Sequence, residues 1–90
     1  MYNYVICFIF NKNTSYQNLF DAIGSLGECR QILDSAWLLI SESESISIKN
    51  RLVTDLGPDD IFFISQLSMP VDAAWLNLSS DVTQWLKSKL

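Results

Sequence analysis

Between Tyr4 and Phe10 the chain reads Tyr-Val-Ile-Cys-Phe-Ile-Phe, an apolar run with no charged or amide side chain. Aromatic and β-branched residues at this density specify a strand. A strand with one face in water alternates polar and apolar positions, because successive side chains point to opposite sides. This run does not alternate, so the fold is expected to cover both of its faces. It falls far short of the roughly 20 apolar residues that cross a bilayer as a helix. No basic stretch precedes it and no small-residue cleavage motif follows, so it does not read as a secretion signal. A cytoplasmic protein with no membrane segment is expected.

Ninety residues suffice for one small core, and residues 1–90 read as a single domain with a core over 1–69 and a C-terminal extension over 70–90. With 49% hydrophobic and 18% charged residues, the composition is that of a folding chain and not of a disordered one. The net charge is −4, and the basic residues Lys12, Arg30, Lys49, Arg51, Lys87 and Lys89 are scattered. Phosphate backbones are held by clustered Lys and Arg, which disfavours nucleic-acid binding by the protein alone, although a dimer can gather dispersed bases onto one edge. There is no histidine, which removes Ser-His and Cys-His nucleophile pairs and the commonest metal ligand. Cys7 and Cys29 lack the spacing of a zinc or redox motif and are expected to be reduced and at least partly buried.

After the first strand, Asn11-Lys12-Asn13 reads as a loop, and Thr14 with Gln17 fits a capping box. Tyr16, Leu19, Phe20, Ile23 and Leu26 then recur at helical spacing, and Gly27 is expected to stop that helix in a left-handed conformation. Cys29–Leu33 and Ala36–Ile40 are short apolar runs around Asp34-Ser35, either a tight hairpin or one long bent strand. The Ser41-Glu42-Ser43-Glu44-Ser45 run reads as serine caps and carboxylates opening a second helix, whose apolar side would hold Ile46, Ile48, Leu52, Val53 and Leu56, with Gly57-Pro58 ending it. Ile61–Leu67 is a strand. Ser79-Ser80 caps a last helix carrying Val82, Trp85, Leu86 and Leu90 on one side, with Asp81 near its start and Lys87 and Lys89 near its end. The order β-α-β-β-α-β predicts an α+β, ferredoxin-like fold: an antiparallel sheet, two helices on one face, and a C-terminal extension ending in a helix.

A resemblance enters on particular residues. They are Tyr4–Phe10, Tyr16-Gln17-Asn18-Leu19 with Ala22-Ile23 and Ser25-Leu26-Gly27, and Asp34-Ser35-Ala36-Trp37-Leu38; Asp59-Asp60, Ala73-Ala74-Trp75 and Trp85-Leu86-Lys87 add to them. Together they resemble the small ferredoxin-like CRISPR-associated nuclease family, the dimeric subunit of the spacer-integration complex, and in particular its SinR-like relatives. The resemblance implies the fold and a homodimer. Nuclease members carry an aspartate near the end of the first strand, and the dimer pairs two of them around a divalent ion such as magnesium. Ile9 stands at that position here, or Phe10 if the register is shifted by one, and neither can ligate a cation.

Two functions are therefore expected to compete. The first is a non-catalytic homodimeric interaction or assembly module, binding itself and possibly another protein, with no cofactor and no metal. Its candidates for the dimer or sheet face are Phe8, Phe10, Trp37, Phe63, Trp75 and Trp85, and Trp75–Leu90 is a rival cover acting within the protomer or across the dimer. The alternative is a magnesium-dependent nuclease or ribonuclease toxin in which Asp59 and Asp60, or Lys12, converge only in the dimer. Both aspartates also read as loop carboxylates preceding a strand. A one-residue register slip inverts which face each strand residue occupies, so the alternation alone does not assign them.

Overall fold

The computed structural model describes residues 1–11, 15–68 and 70–90. The Lys12 candidate and the Thr14 part of the capping box lie outside them. The elements are β1 (Tyr2–Ile9), α1 (Gln17–Leu26), β2 (Glu28–Leu33), β3 (Ala36–Ser41), α2 (Ser45–Leu52), a 3-10 turn (Val53–Asp55), β4 (Ile61–Leu67) and α3 (Ser80–Lys89). Asp34-Ser35 makes the tight hairpin between β2 and β3. The sheet order is β2-β3-β1-β4 with every neighbouring pair antiparallel, an α+β architecture compatible with a ferredoxin-like fold.

The apolar run of β1 sorts by parity. Tyr4, Ile6 and Phe8 point to one face and are buried with Leu19, Ala22 and Ile23 of α1, Leu39 of β3, and Ile48 and Leu52 of α2. Each of the Leu, Ile and Phe side chains among them contributes about 1.5–3 kcal/mol on leaving water. On the opposite face Val5 packs with Leu38 of β3 and with Trp85 and Leu86 of α3. The second face is thus covered within the protomer, but only in part: Cys7 and Ile9 remain exposed.

Polar groups fix the junctions. Ser41 is not a solvent-facing cap of α2; it is buried, its hydroxyl donates to the Leu26 carbonyl at 2.7 Å, and its oxygen accepts from the Ser43 N–H at 3.2 Å. One carbonyl at the end of α1 is thereby satisfied from β3. The Tyr4 hydroxyl reaches the Ser43 carbonyl at 2.7 Å, and burial of its ring pushes the phenol above its ordinary pKa. Residue Glu44, in extended conformation, precedes α2 without a capping side-chain bond, so the expected serine cap is absent there. α3 does have its cap: the Ser79 hydroxyl accepts from the Val82 N–H at 3.2 Å.

Three local expectations are corrected. Gly27 is extended (φ 163°, ψ −164°), and glycine is needed for space: a Cβ there would lie 2.0 Å from the Ile40 carbonyl oxygen. α2 ends at Leu52 and not at Gly57-Pro58, because the Thr54 hydroxyl takes the Arg51 carbonyl at 2.9 Å and Arg51 turns to Asp55 at 3.1 Å. Ile46 and Val53 do not join the core; with about 100° between successive residues, a face built on Ile48 and Leu52 turns Ile46 away, and both Ile46 and Val53 are exposed.

Candidate functional site

Asp60 is a structural carboxylate. One oxygen accepts from the Asn11 N–H at 2.8 Å and from the Tyr16 hydroxyl at 3.0 Å; the other accepts from the Gly57 N–H at 2.7 Å. It ties the end of β1, the start of α1 and the loop before β4 together. Tyr16 is in turn stacked on Phe10, ring centroids 4.0 Å apart, so the hydroxyl is held toward the carboxylate. Asp59 is exposed beside it, and Asp55 is committed to Arg51. Among the described residues no group of three or more His, Cys, Asp or Glu side chains gathers where a metal could be held. Ile9, at the end of β1, is 63% exposed and offers only an alkyl surface.

The six aromatic candidates separate onto two faces. Phe8, Phe10 and Trp37 lie on the helix side: Phe8 is buried and stacks on Phe10 at 5.3 Å, and Trp37 stacks on Phe20 of α1 at 5.1 Å. They belong to the core or its margin and are not sheet surface. Trp85 is buried from α3 against Leu38, with the Arg30 guanidinium 5.5 Å from its ring centroid. Trp75 is partly exposed on the segment before α3 and lines an apolar cavity of about 240 Å³ with Val5, Leu38, Leu67, Leu78 and Leu86. Of the six, Phe63 alone stands on uncovered sheet, 54% exposed.

Its neighbours there were not among the candidates. In the β1–β4 register Cys7 lies opposite Phe63 and Ile9 opposite Ile61, so the four side chains form one apolar quartet on the outer face. Ile61 is 58% exposed. Cys7 is exposed too, contrary to the expectation of burial, because the odd positions of β1 face away from α1 and α2, and α3 packs on Val5 without reaching Cys7. Cys29 is half-buried, and burial pushes its thiol above the ordinary value against the opposing pull of Arg30. Burial alternates along β1 although its residue types do not. What the sequence lacked was a polar residue in the centre of β1 to say which parity is wet.

α3 crosses the other half of this face. Lys89 meets Glu28 at 2.7 Å and Arg30 approaches Asp81 at 3.8 Å, so the helix is fastened over β2 and β3. None of the helices among the described residues is long and apolar enough to cross a membrane. In comparisons with known proteins, no family model and no curated protein sequence matches the chain.

Proposed function

We propose that this chain is a ferredoxin-like, non-catalytic interaction module of the CRISPR-associated small-nuclease type, self-associating through the half of its sheet that α3 leaves bare. The observation that carries this reading is the quartet Cys7, Ile9, Ile61 and Phe63, contiguous across β1 and β4 and apolar throughout. A second copy is the fitting occupant, because none of the four side chains is charged, so two chains of net charge −4 can bring them together without burying a carboxylate of the quartet itself. Ile9, Ile61 and Phe63 are each a little over half exposed, so hiding the remainder contributes about 1 kcal/mol per side chain, roughly 6 kcal/mol over two copies. A micromolar dimer needs a net of about 8 kcal/mol, so further contacts must add to the quartet. Leu76, 83% exposed on the segment that lies over the same face, is suited to supply them.

Sedimentation velocity across a concentration series tests the reading. The parent is expected to move from 10.3 kDa toward a dimer as concentration rises, and Ile9→Lys to remain monomeric. Because Ile9 is exposed, its replacement should alter stability by no more than about 0.5 kcal/mol. A parent that stays monomeric up to about 1 mM, where even an association of about 4 kcal/mol becomes visible, contradicts self-association.

A further inference from the structure

β4 is an edge strand that its own sheet leaves unguarded. Only β1 pairs with it, so among the described residues its outer N–H and C=O groups have no strand partner. Proteins blunt such edges with charge, proline or a bulge, because an open edge is a template for another chain. The opposite edge obeys this: β2 carries Glu28 and Arg30, both paired to α3, and a register shift between Gln31 and Leu33. β4 reads Ile-Phe-Phe-Ile-Ser-Gln-Leu, without charge or proline, and its register with β1 runs unbroken from Ile61 to Leu67.

Beside this edge lies a groove of about 360 Å³ between Ser45, Ile46 and Lys49 of α2 and Phe62, Phe63 and Ile64 of β4. Ile46 is 55% exposed on its wall, an apolar side chain on a helix whose core contacts are Ile48 and Leu52. Lys49 has no ion pair among the described residues. An unpaired strand edge supplies main-chain bonds, the flanking apolar groove receives alternate side chains, and a lysine favours a carboxylate. That combination is the chemistry of β-strand addition.

We propose that the groove between α2 and β4 captures an extended segment of another protein as a fifth strand, its groove-facing side chains apolar with one acidic residue opposite Lys49. Two β4 strands pairing with each other fit less well, since Ile61–Leu67 brings no carboxylate to answer Lys49. The proposal rests on reading the chain as an interaction module but not on its dimerisation, which uses the outer sheet face and is read separately by sedimentation.

The test is an amide chemical-shift titration of the full chain with the peptide acetyl-Thr-Val-Thr-Ile-Thr-Glu-Thr-amide, whose Val, Ile and Glu share one face. Two further versions each carry N-methyl groups on alternate amides, one version for each edge of the peptide. Shifts are expected along Ile61–Leu67 and at Ile46 and Lys49. One N-methylated version should bind at least about tenfold more weakly and the other should not, because a strand pairs through one edge only. Lys49→Glu should weaken the parent peptide about three- to tenfold. Three outcomes overturn the proposal. They are no β4 shift at about 1 mM peptide, equal binding of all three peptides, or shifts confined to other elements.

Discussion

Replacing Asp60 separates a carboxylate that builds the fold from one that serves chemistry. In Asp60→Ala three donors lose their acceptor at once: the Asn11 and Gly57 N–H groups and the Tyr16 hydroxyl. Hydrogen bonds to a charged group are worth about 1.5–3 kcal/mol each when buried, and this carboxylate is only half-buried, so water replaces part of what is lost. The bonds also belong to one network and do not add. A loss of about 2–4 kcal/mol is therefore expected, a large share of the roughly 5–13 kcal/mol available to a domain of this size. Asp60→Asn keeps one acceptor oxygen but turns an amide N–H₂ toward a donor, and should cost about 1–2 kcal/mol.

The assay is urea unfolding followed by tryptophan fluorescence, with the midpoint and slope fitted for the parent and both variants. RNA and DNA cleavage in magnesium or manganese is measured beside it, with Asp59→Ala as a companion. The expected pattern is a graded loss of stability, alanine greater than asparagine, with Asp59→Ala within about 0.5 kcal/mol of the parent. If Asp60→Ala unfolds at the parent's midpoint, the carboxylate does not join β1, α1 and the loop before β4, and the structural argument fails. If cleavage is present in the parent and disappears in a stably folded Asp60→Ala, the residue is a nuclease group and the interaction-only reading fails with it.

Two glycines should respond to alanine with opposite signs: Gly27→Ala forces a Cβ against the Ile40 carbonyl and should cost at least about 2 kcal/mol, while Gly24→Ala, with open space in the middle of α1, should gain about 0.5–1 kcal/mol; equal urea midpoints would refute the contact. Tyr4 sets an alkaline limit. Its folded pKa lies above the unfolded value of 10.0, so the unfolded chain releases the proton first; this contribution to stability is intact below pH 10 and is lost as pH rises through the folded pKa. Thermal melts of the parent and Tyr4→Phe across pH 8–11 should therefore converge at the alkaline end, and parallel curves would contradict the linkage.

Periodicity carried most of the fold. The helical spacing of Leu19, Ile23 and Leu26, the Asp34-Ser35 break and the cap at Ser79 are local signals, and each marks an element that forms. The errors fall where a distant partner decides. Gly27 does stop α1, but it is extended and not left-handed, and its missing Cβ answers to the Ile40 carbonyl of β3. The serine run before α2 looks like a set of caps, yet Ser41 is taken by the Leu26 carbonyl of another helix. Phe8 and Phe63 are alike in sequence as apolar strand residues, and only the parity of β1 under α1 and α2 makes one core and the other surface. The site inherited that ambiguity, since uniform hydrophobicity specifies burial without naming the face.

The placement of α3 bears directly on what that second face is for. The outer face is apolar in two halves and α3 covers one of them: its Trp85 and Leu86 pack with Leu38, Val5 and Leu67, while Cys7, Ile9, Ile61 and Phe63 stay exposed. The ion pairs Lys89–Glu28 and Arg30–Asp81 lie at its exposed margin and add little. Apolar packing thus seats the C-terminal helix toward the guarded edge and leaves bare the strand pair that has neither charge nor cover. Exposed hydrophobic residues scattered singly need no explanation, but here they are contiguous in register and adjoin an unguarded strand edge. Such a surface lowers solubility unless a partner removes it from water. The proposed self-association on the face and the proposed strand addition at the edge would each take part of this surface out of water.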